Sequence, residues 1–313
     1  MEKTFNHIPV LLNEVLQYLE PHSGGIYIDG TVGGGNHAAA VLQASDPDGF
    51  LLGIDRDSEA LSAAEERLQL FPGRYRLLKG NYGDMDSLAA AAGIEAADGI
   101  LLDIGVSSHQ LDDADRGFSY KQDAPLDMRM DQTSGFSAAQ LLNTADAEEL
   151  TRILYEYGEE KWARRIAEFI VADRSKQPYA TTGQLVETIK KAVPVGAREK
   201  DQHPARRSFQ ALRIAVNDEL GALRRGLDKA IGLLKPGGVL VVISFHSLED
   251  RIVKECFKLH ATECICPPKM PVCVCGHKAD LKILTKKPVT AGQKELETNY
   301  RSHCALLRAA RKL

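Results

Sequence analysis

The feature that most limits how this chain can fold is a regular alternation of helix-like and strand-like segments over its first 108 residues. Four short apolar runs predict strands, and each follows a run that predicts a helix; the strand runs are GIYIDG, GFLLGIDRD, YRLLKGNY and DGILLDIGVSS. The fourth is apolar almost throughout, which predicts a strand buried on both faces. Such alternation is typical of an open, mostly parallel α/β sheet.

The alternation stops after residue 108 and resumes near residue 214. Residues 109–213 carry turns and amphipathic helical runs without a strand pattern, and two of these helices begin with capping boxes, Ser137 with Gln140 and Thr181 with Gln184. A long helix over 211–234 follows, then a turn at KPGG and strands at VLVVISFHS, LKILTKK and HCALLRAAR. We therefore predict a discontinuous α/β domain, residues 1–108 and 214–313, interrupted by a substrate-binding helical insertion at 109–213.

Three helix starts can be predicted from residue type alone. Pro9 suits the first turn of a helix over residues 8–19, because its missing N–H is not needed there. Ser58 and Ser247 each precede a helical run, and a serine hydroxyl is a common N-cap.

The composition is that of an ordinary globular protein, with 44% apolar and 26% charged residues. The formal net charge of −4 excludes a uniformly basic nucleic-acid-binding surface, although not a local basic patch. The sequence contains no run of about 18 apolar residues, which is the length needed to span a membrane. The first residues, MEKTFNHIPVLLNE, lack the apolar core of a signal peptide, so a cytoplasmic location is the default expectation.

A glycine-rich turn follows the first predicted strand and precedes a helix. Glycines 30, 33, 34 and 35 allow the backbone to approach a ligand closely, and the helix N-terminus favours negative charge. Dinucleotides and S-adenosylmethionine both use this arrangement, and a tight turn without a ligand is a third interpretation. Asp55 ends the second strand 20 residues after Gly35, where its carboxylate could accept hydrogen bonds from both hydroxyls of a ribose.

Two further features favour methyl transfer over dinucleotide binding. Asp103 ends the fourth strand, at the carboxyl edge where open α/β sheets hold their ligands. The run LLKPGGVLVVIS resembles the helix–turn–strand element that precedes the fifth strand of class I methyltransferases.

Several longer motifs make the resemblance specific. In order along the chain they are HIPVLLNEVL, YIDGTVGGGNH, ILLDIGVSSHQLDDADRGFSY, PLDMRMD, HPARRSFQALRIAVNDEL and SFHSLEDRIVK. From about residue 5 to 310 the chain resembles the ribosomal RNA small subunit methyltransferase H family. That resemblance implies a Rossmann-like class I methyltransferase fold, with a helical insertion, that uses S-adenosylmethionine. It also implies methylation of the N4 amino group of a cytidine in the decoding region of 16S rRNA. We expect this RNA to be bound within the small ribosomal subunit, but the sequence leaves naked RNA open as the substrate, and it leaves both a monomer and a homodimer open.

The resemblance also implies which residues hold the cofactor. Gly33, Gly35, Asn36 and His37 would lie at its methionine end, Asp55 would bind the ribose, Tyr82 would lie against the adenine, and Asp103 and Gln110 would complete the pocket. Position 36 departs from the family, where glycine is common. Asparagine tolerates a left-handed backbone better than most residues, so the turn could survive this change.

The catalytic residues are a hypothesis, because DIGVSS lacks the prolines found in the corresponding turn of DNA amino-methyltransferases. We expect Asp103 and backbone carbonyls near Gly105 and Val106 to accept hydrogen bonds from the cytosine amine. Ser107 or Ser108 could position the base, or could equally satisfy the backbone of a tight turn. His246, after the fifth strand, could position the substrate or accept a proton.

Two segments are locally basic. Residues 190–213 contain seven Lys and Arg against two acidic residues, and residues 278–313 contain nine against three. Arg206, Arg207 and Arg213 are the predicted phosphate-binding residues, with Phe209 or Phe245 available to stack on an unpaired base. The alternatives are a solvated basic face and phenylalanines that belong to the core.

Four of the six cysteines form a C-x-C-x6-C-x-C pattern: Cys264, Cys266, Cys273 and Cys275. Two close pairs of thiolates can bind a tetrahedral structural zinc ion, with His277 as an alternative ligand. Reduced free thiols are the competing interpretation, and no catalytic role follows from the pattern.

Two other functions fit part of the sequence. An NAD-dependent oxidoreductase would explain the glycines and Asp55, but not LKPGG or DIGVSSHQL. A non-catalytic RNA-binding assembly factor could retain a methyltransferase fold without its activity. A third alternative keeps methyl transfer but takes DNA or protein as the substrate. The residues themselves do not exclude it, and only the family resemblance names rRNA.

Overall fold

The chain divides after Gly105 and again after Glu219. In the computed structural model, which describes residues 8–198, 202–267 and 272–313, the first compact unit comprises the chain up to Gly105 together with Leu220–Leu313. Val106–Glu219 forms the second unit. We call these the sheet unit and the helical unit. The sequence pattern predicted changes near residues 108 and 214, and the substrate-binding role of the insertion stays a prediction.

Seven strands form one sheet in the order β3-β2-β1-β4-β5-β7-β6. They are β1 (Ile26–Asp29), β2 (Phe50–Asp55), β3 (Tyr75–Lys79), β4 (Ala97–Asp103), β5 (Leu234–Ser244), β6 (Leu281–Ile283) and β7 (Leu306–Lys312). The first five are parallel, whereas β7 pairs antiparallel with both β5 and β6. Every predicted strand is confirmed, and β4 is buried along most of its length.

Thirteen α-helices accompany the sheet in the described residues. They are α1 (Leu12–Leu19), α2 (Asn36–Ala44), α3 (Ser58–Leu68), α4 (Met85–Ala91), α5 (Ser108–Asp112), α6 (Ala138–Thr144), α7 (Ala147–Gly158), α8 (Ala163–Arg174), α9 (Thr182–Ala192), α10 (Arg206–Asn217), α11 (Glu219–Leu233), α12 (Ser247–His260) and α13 (Gln293–Thr298). None of these helices is both long enough and apolar enough to cross a membrane.

Both faces of the sheet are covered, because successive side chains of a strand point to opposite faces. Ile28, Leu52 and Ile100 pack with apolar residues of α4, α11 and α12. Leu51 and Leu101, one position away on the same strands, pack with α1, α2 and α3 on the other face. The sheet unit is therefore a three-layer α/β/α structure with a mostly parallel, Rossmann-like sheet.

The strand order marks the carboxyl ends of β1 and β4 as the expected position of a ligand. From β1 the chain proceeds outward through β2 and β3 on one side, whereas β4 and β5 lie on the other. The order thus reverses between β1 and β4, and open α/β sheets bind ligands at the carboxyl ends of the strands beside such a reversal.

The helical unit has its own apolar core. Leu142, Ile153, Ile166, Leu185 and Leu212, from five different helices, are almost completely buried in it. The predicted capping boxes at Ser137 and Thr181 are confirmed, each with the reciprocal hydrogen bonds to the glutamine three residues later.

One predicted long helix is divided in two. Residues 211–234 were expected to form a single helix, but α10 ends at Asn217 and Asp218 adopts a left-handed conformation with φ 49°. The amide of Asn217 donates to the carbonyl of Met128 at 2.7 Å and accepts from the N–H of Met130 at 2.8 Å. These tertiary hydrogen bonds occupy the point at which the helix breaks, and apolar periodicity carries no information about them.

The three predicted helix starts are wrong. Helix α1 begins at Leu12, beyond Pro9, after a left-handed Leu11. Asp57 rather than Ser58 caps α3, because its carboxylate accepts from the N–H of Glu59 at 3.0 Å. In the third case the side chain of His246 caps α12, one residue before Ser247.

Candidate active site

Two glycines of the turn after β1 have conformations that favour glycine. Gly33 has φ 50° and Gly35 has φ 77°, and a Cβ added to Gly35 would lie 3.2 Å from the Cα of Ala64. Asn36 is already the first residue of α2, so the predicted demand for left-handed backbone falls on Gly35 instead. The Asn36 side chain accepts a hydrogen bond from Arg67.

Asp55, the last residue of β2, is tied to this turn. One carboxylate oxygen accepts from the N–H of Gly33 at 2.9 Å, and the other accepts from the N–H of Asp57 at 2.9 Å. Burial raises the pKa of Asp55 to about 6, although these two N–H groups act in the opposite direction. A carboxylate oxygen can accept more than one hydrogen bond, so the same group can also receive ribose hydroxyls.

Asp29 is a site residue that the sequence analysis missed. It is the last residue of β1, its exposed fraction is 2%, and one carboxylate oxygen accepts from the N–H of Thr31 at 3.1 Å. Burial and the nearby charge of Asp55 raise its pKa to about 7. Its signal was present in YIDG, because an aspartate closes this apolar strand as Asp55 and Asp103 close theirs.

Asp103 ends β4 and completes a row of three carboxyl groups. Strands β2, β1 and β4 are neighbours and parallel, so their terminal aspartates share the carboxyl edge of the sheet. Among the described residues, the Oδ1 atom of Asp103 is buried and has no hydrogen-bond partner. Burial and the charges of Asp29 and Glu249 raise the pKa of Asp103 to about 8, against a smaller opposing effect of Arg301.

His37 faces the other oxygen of Asp103. Its Nε2 atom lies 3.0 Å from the carbonyl oxygen of Val10, which can only accept, so Nε2 carries the ring proton. Burial lowers the pKa of His37 to about 4, and the ring is therefore neutral with a bare Nδ1. Nδ1 lies 3.7 Å from Oδ2 of Asp103, too far for a hydrogen bond, and a neutral ring leaves the carboxylate charge uncompensated.

Tyr82 is placed beside the end of β3. It begins a 3₁₀ turn after that strand, and its half-buried ring lies against Gly226 of α11, where an added Cβ would come within 2.5 Å of the ring. Adenine contact by Tyr82 stays a prediction.

The remaining predicted residues near the β4 turn have structural partners. Ser107 and Gln110 form the capping box of α5, with Gln110 N–H donating to the Ser107 hydroxyl at 3.2 Å. The Nδ1 atom of His246 accepts from the N–H of Glu249 at 3.4 Å, and its Nε2 lies 3.1 Å from the carboxylate of Glu249. The side chain of Ser108 lies outside the described part of the chain. The binding and catalytic roles of these residues stay predictions.

The predicted RNA-binding residues lie on α10. Phe209 has an exposed fraction of 3% and contacts Tyr120 edge to face, which favours a core role over base stacking. Arg213 forms a two-bonded ion pair with Glu219, both contacts at 2.8 Å, and Arg207 donates to the carbonyl of Glu159 at 3.2 Å. Arg206 is exposed at the start of the helix. Residues 199–201, which include one predicted basic residue, lie outside the described residues.

The chain is similar to known methyltransferases over nearly its whole length. A family model described as the MraW methylase family matches residues 4–313. A relative in Geobacter sulfurreducens, named ribosomal RNA small subunit methyltransferase H, is 57% identical over 310 residues, covering 99% of this chain and 100% of its own. A relative of the same name in Symbiobacterium thermophilum is 56% identical over 309 residues, covering 99% and 97%. Among solved structures, a SAM-dependent O-methyltransferase from Thermotoga maritima matches with a TM-score of 0.44 and 11% identity, over 100% of this chain and 68% of its own.

Proposed function

The chain belongs to the MraW methylase family, and we propose that it transfers a methyl group from S-adenosylmethionine to the N4 amino group of a cytidine in the decoding region of 16S rRNA. The observation that carries this proposal is the buried, unpartnered Oδ1 of Asp103 at the carboxyl edge of the sheet. A buried polar atom without a hydrogen-bond partner costs free energy. A ligand that donates a hydrogen bond to Oδ1 would remove that cost.

The residues at this edge suit S-adenosylmethionine better than NAD. Asp29, Asp55 and Asp103 all have raised pKa values, because burial opposes three negative charges close together. S-adenosylmethionine carries a positive sulfonium and a positive ammonium group, which would favour the ionised carboxylates. The pyrophosphate of NAD would add two negative charges to the same place.

The reaction requires a poor nucleophile to be oriented and deprotonated. The lone pair of the cytosine amine is delocalised into the ring, and orientation alone can supply on the order of 7–11 kcal/mol of such a barrier. The bound cofactor supplies an electrophilic methyl group. Oδ1 of Asp103 would accept a hydrogen bond from the amine. It would take the amine proton as the nitrogen–carbon bond forms and the methyl carbon–sulfur bond breaks, which leaves S-adenosylhomocysteine with the electron pair. With a pKa of about 8, Asp103 is a strong enough base to take that proton, and the positive charge of the cofactor would favour the ionised form that the step requires.

Neighbouring groups would keep Asp103 in position for this role. Its backbone N–H donates to the Thr31 hydroxyl at 2.7 Å, which connects β4 to the turn after β1. Two residues later the chain passes through Gly105, whose φ of 119° favours glycine. We propose that carbonyl groups of this turn accept the second hydrogen of the amine.

The RNA substrate is inferred from the relatives' names together with the helical unit. Arg206 is exposed at the start of α10, and the surrounding segment 190–213 has an excess of positive charge. Such a surface would bind phosphates in a salt-dependent way. We propose that 16S rRNA is held there, with monomeric and homodimeric forms of the enzyme both compatible with that role.

Labelled product analysis tests the proposal directly. The protein is incubated with tritiated S-adenosylmethionine and, separately, naked 16S rRNA, small ribosomal subunits and DNA, and the product is digested to nucleosides. We expect label in N4-methylcytidine from an RNA substrate. Asp103→Asn should incorporate label far more slowly than the unmodified chain, whereas Asp98→Asn, at the other end of β4, should retain activity. Label in another nucleoside, in DNA or in protein would refute the cytidine assignment.

We propose zinc separately from the methyl-transfer reaction. Cys264, Cys266, Cys273 and Cys275 each offer a sulfur atom to one cluster, and these atoms lie within 4.8 Å of one another. A zinc ion bound there would be structural and would take no part in catalysis.

A further inference from the structure

The four clustered cysteines lie in an excursion between α12 and β6, residues 261–280. The base of this excursion is fixed by residues of the sheet unit. The N–H of Asp280 donates to the carbonyl of His260 at 2.9 Å, and the two side chains meet at 2.8 Å. Lys312 of β7 also donates to Asp280 at 2.8 Å. The excursion therefore begins and ends at adjacent positions of the sheet unit. We call the part that holds residues 264–266 its first arm and the part that holds residues 273–275 its second arm.

The sulfur atoms have the spacing of a tetrahedral metal site. Cys273 Sγ lies 3.4 Å from that of Cys264, 3.9 Å from that of Cys266 and 3.5 Å from that of Cys275, and Cys264 and Cys275 are 3.8 Å apart. Four sulfurs at about 2.3 Å from a central zinc ion would be about 3.8 Å from one another. A disulfide would require about 2.05 Å.

Apolar packing does not account for this cluster. Ile265, Val272 and Val274, the large aliphatic residues in the described part of the excursion, have exposed fractions of 50%, 70% and 72%. A short segment without a core of its own commonly depends on a metal ion or disulfides. In the described part of the excursion, four thiols therefore lie together where no apolar core stabilises the chain.

We infer that these four cysteines bind one Zn²⁺ ion that joins the two arms of the excursion, a site independent of methyl transfer. Two cysteines come from each arm, so the ion would cross-link residues 264–266 to residues 273–275. Binding would release the remaining thiol protons to solvent, because thiolates are the ligands. The N–H of Val274 lies 3.4 Å from Cys266 Sγ, a contact that stabilises a thiolate ligand.

Neighbouring groups support four-sulfur coordination. His277 was the alternative ligand in the sequence, but it is not a member of the group of ligand atoms that lie within 4.8 Å of one another, and its Nε2 lies 3.0 Å from the carbonyl oxygen of Leu259. The other two cysteines, Cys256 and Cys304, are not members of the cluster. Tetrahedral four-thiolate sites select zinc or iron, and the experiment must therefore distinguish these metals.

The location indicates a structural role. Helix α12 follows β5 and returns across the sheet, and its 14 residues span about 21 Å. Strand β6 is parallel to β5 through their shared partner β7, so it starts at the amino edge. The excursion therefore lies at the amino edge of the sheet, whereas the three site aspartates lie at the carboxyl edge.

Metal analysis of the full chain is the primary test. The protein is purified under reducing conditions without chelator, supplied with zinc, desalted and analysed for zinc and iron. We expect close to one zinc per chain, and close to none in the double variant Cys264→Ser/Cys273→Ser. The matched control Cys304→Ser removes an exposed cysteine outside the cluster and should retain the ion. Absence of zinc, iron in its place, or equal zinc in the double variant would overturn the inference.

Cobalt titration of the unmodified chain provides a measurement that needs no variant. Co²⁺ added to metal-free protein should produce the intense visible bands and sulfur-to-cobalt charge transfer of a tetrahedral thiolate site, saturating at one equivalent. Only weak octahedral bands, or disulfide formation under these reducing conditions, would contradict a four-thiolate site.

Protease protection tests what the ion does. Trypsin should cleave within 261–279 much faster in the metal-free chain than in the zinc-loaded chain, while methyl transfer and cofactor binding stay unchanged. Equal cleavage rates would refute the cross-linking role. A chain that binds zinc but does not methylate RNA would instead refute the proposed function and leave the metal site standing.

Discussion

Strand β4 has an aspartate near each end, and the two differ in their hydrogen-bond partners and in the direction of their pKa shifts. At the amino edge, Asp98 accepts from the N–H of Ile26 at 2.8 Å and from the ammonium of Lys235 at 2.7 Å. At the carboxyl edge, Asp103 has a buried oxygen without a partner among the described residues. One strand thus carries both a satisfied and an unsatisfied carboxyl group.

The pKa values of the two groups follow from this difference. Burial acts to raise the pKa of Asp98, but Lys235 and the N–H of Ile26 together hold it below its usual range. For Asp103 burial acts without such partners and raises the pKa to about 8. Pairing is the lower-energy arrangement for a buried carboxyl group, so the unpartnered oxygen of Asp103 supports the proposal that this group binds a ligand.

The largest expected effect is the loss of catalysis when Asp103 is replaced. Asp103→Asn keeps the shape of the side chain but removes the group proposed to take the amine proton. We expect the single-turnover rate of methyl transfer to fall by about 100- to 1000-fold, as when one pre-placed polar group is removed from other active sites. Circular dichroism should show an unchanged fold.

Asp98→Asn is the matched control, because it makes the same chemical change on the same strand. Its rate should stay within about twofold of the unmodified enzyme, since Asp98 lies at the opposite edge from the proposed reaction. Equal losses in the two variants would remove the distinction between the two ends of β4.

The next effect is a pH dependence of cofactor affinity. The cationic cofactor favours ionised Asp103, so its affinity, measured by isothermal titration calorimetry, should increase as pH rises from 7 towards 9. The steepest possible slope is about tenfold per pH unit for a single proton. The groups around Asp103 are Asp29, Glu249 and Arg301, whose charges shift its pKa, and His37, which has a pKa of about 4 and stays neutral over this range.

The Asp103→Asn variant separates this contribution from the others. Removing the titrating group should flatten the upper part of the curve, leaving only the part near pH 6–7 where Asp29 and Asp55 titrate. An unchanged slope in this variant would show that Asp103 is not the group linked to cofactor binding.

The same comparison shows which parts of the site could be predicted from sequence. Asp55 and Asp103 could be found because each closes an apolar strand, and parallel strands end at one edge. Asp29 obeys the same rule but was not predicted, because ligand binding was assigned to the glycines that follow it in the turn. Hydrogen bonding between distant residues left no such pattern: the contacts of Asp98 with Lys235, 137 positions apart, emerge only in the folded chain.

Helix positions show a similar division. Apolar runs predicted the strands, and residue types three positions apart predicted the capping boxes. Both signals depend on near neighbours in sequence. The break between α10 and α11 depends on Asn217 binding Met128 and Met130 almost 90 positions away. The assignment of α10 arginines to RNA has the same weakness, because Arg213 is paired with Glu219, which sequence charge counts treat as independent.

The smallest expected effect concerns stability and should be opposite at the two ends of β4. Asp98→Asn removes charge-assisted hydrogen bonds, but Lys235 is partly exposed, so solvent screening limits the loss to about 1 kcal/mol of unfolding free energy. Asp103 has a raised pKa in the folded state, so its contribution to stability is present below about pH 4 and is lost as pH rises through about 8. At pH 8.5, Asp103→Asn should therefore be at least as stable as the unmodified chain. Urea denaturation of both variants at pH 6 and 8.5 measures this, and destabilisation by Asp103→Asn at the higher pH would show that its carboxylate has a structural partner.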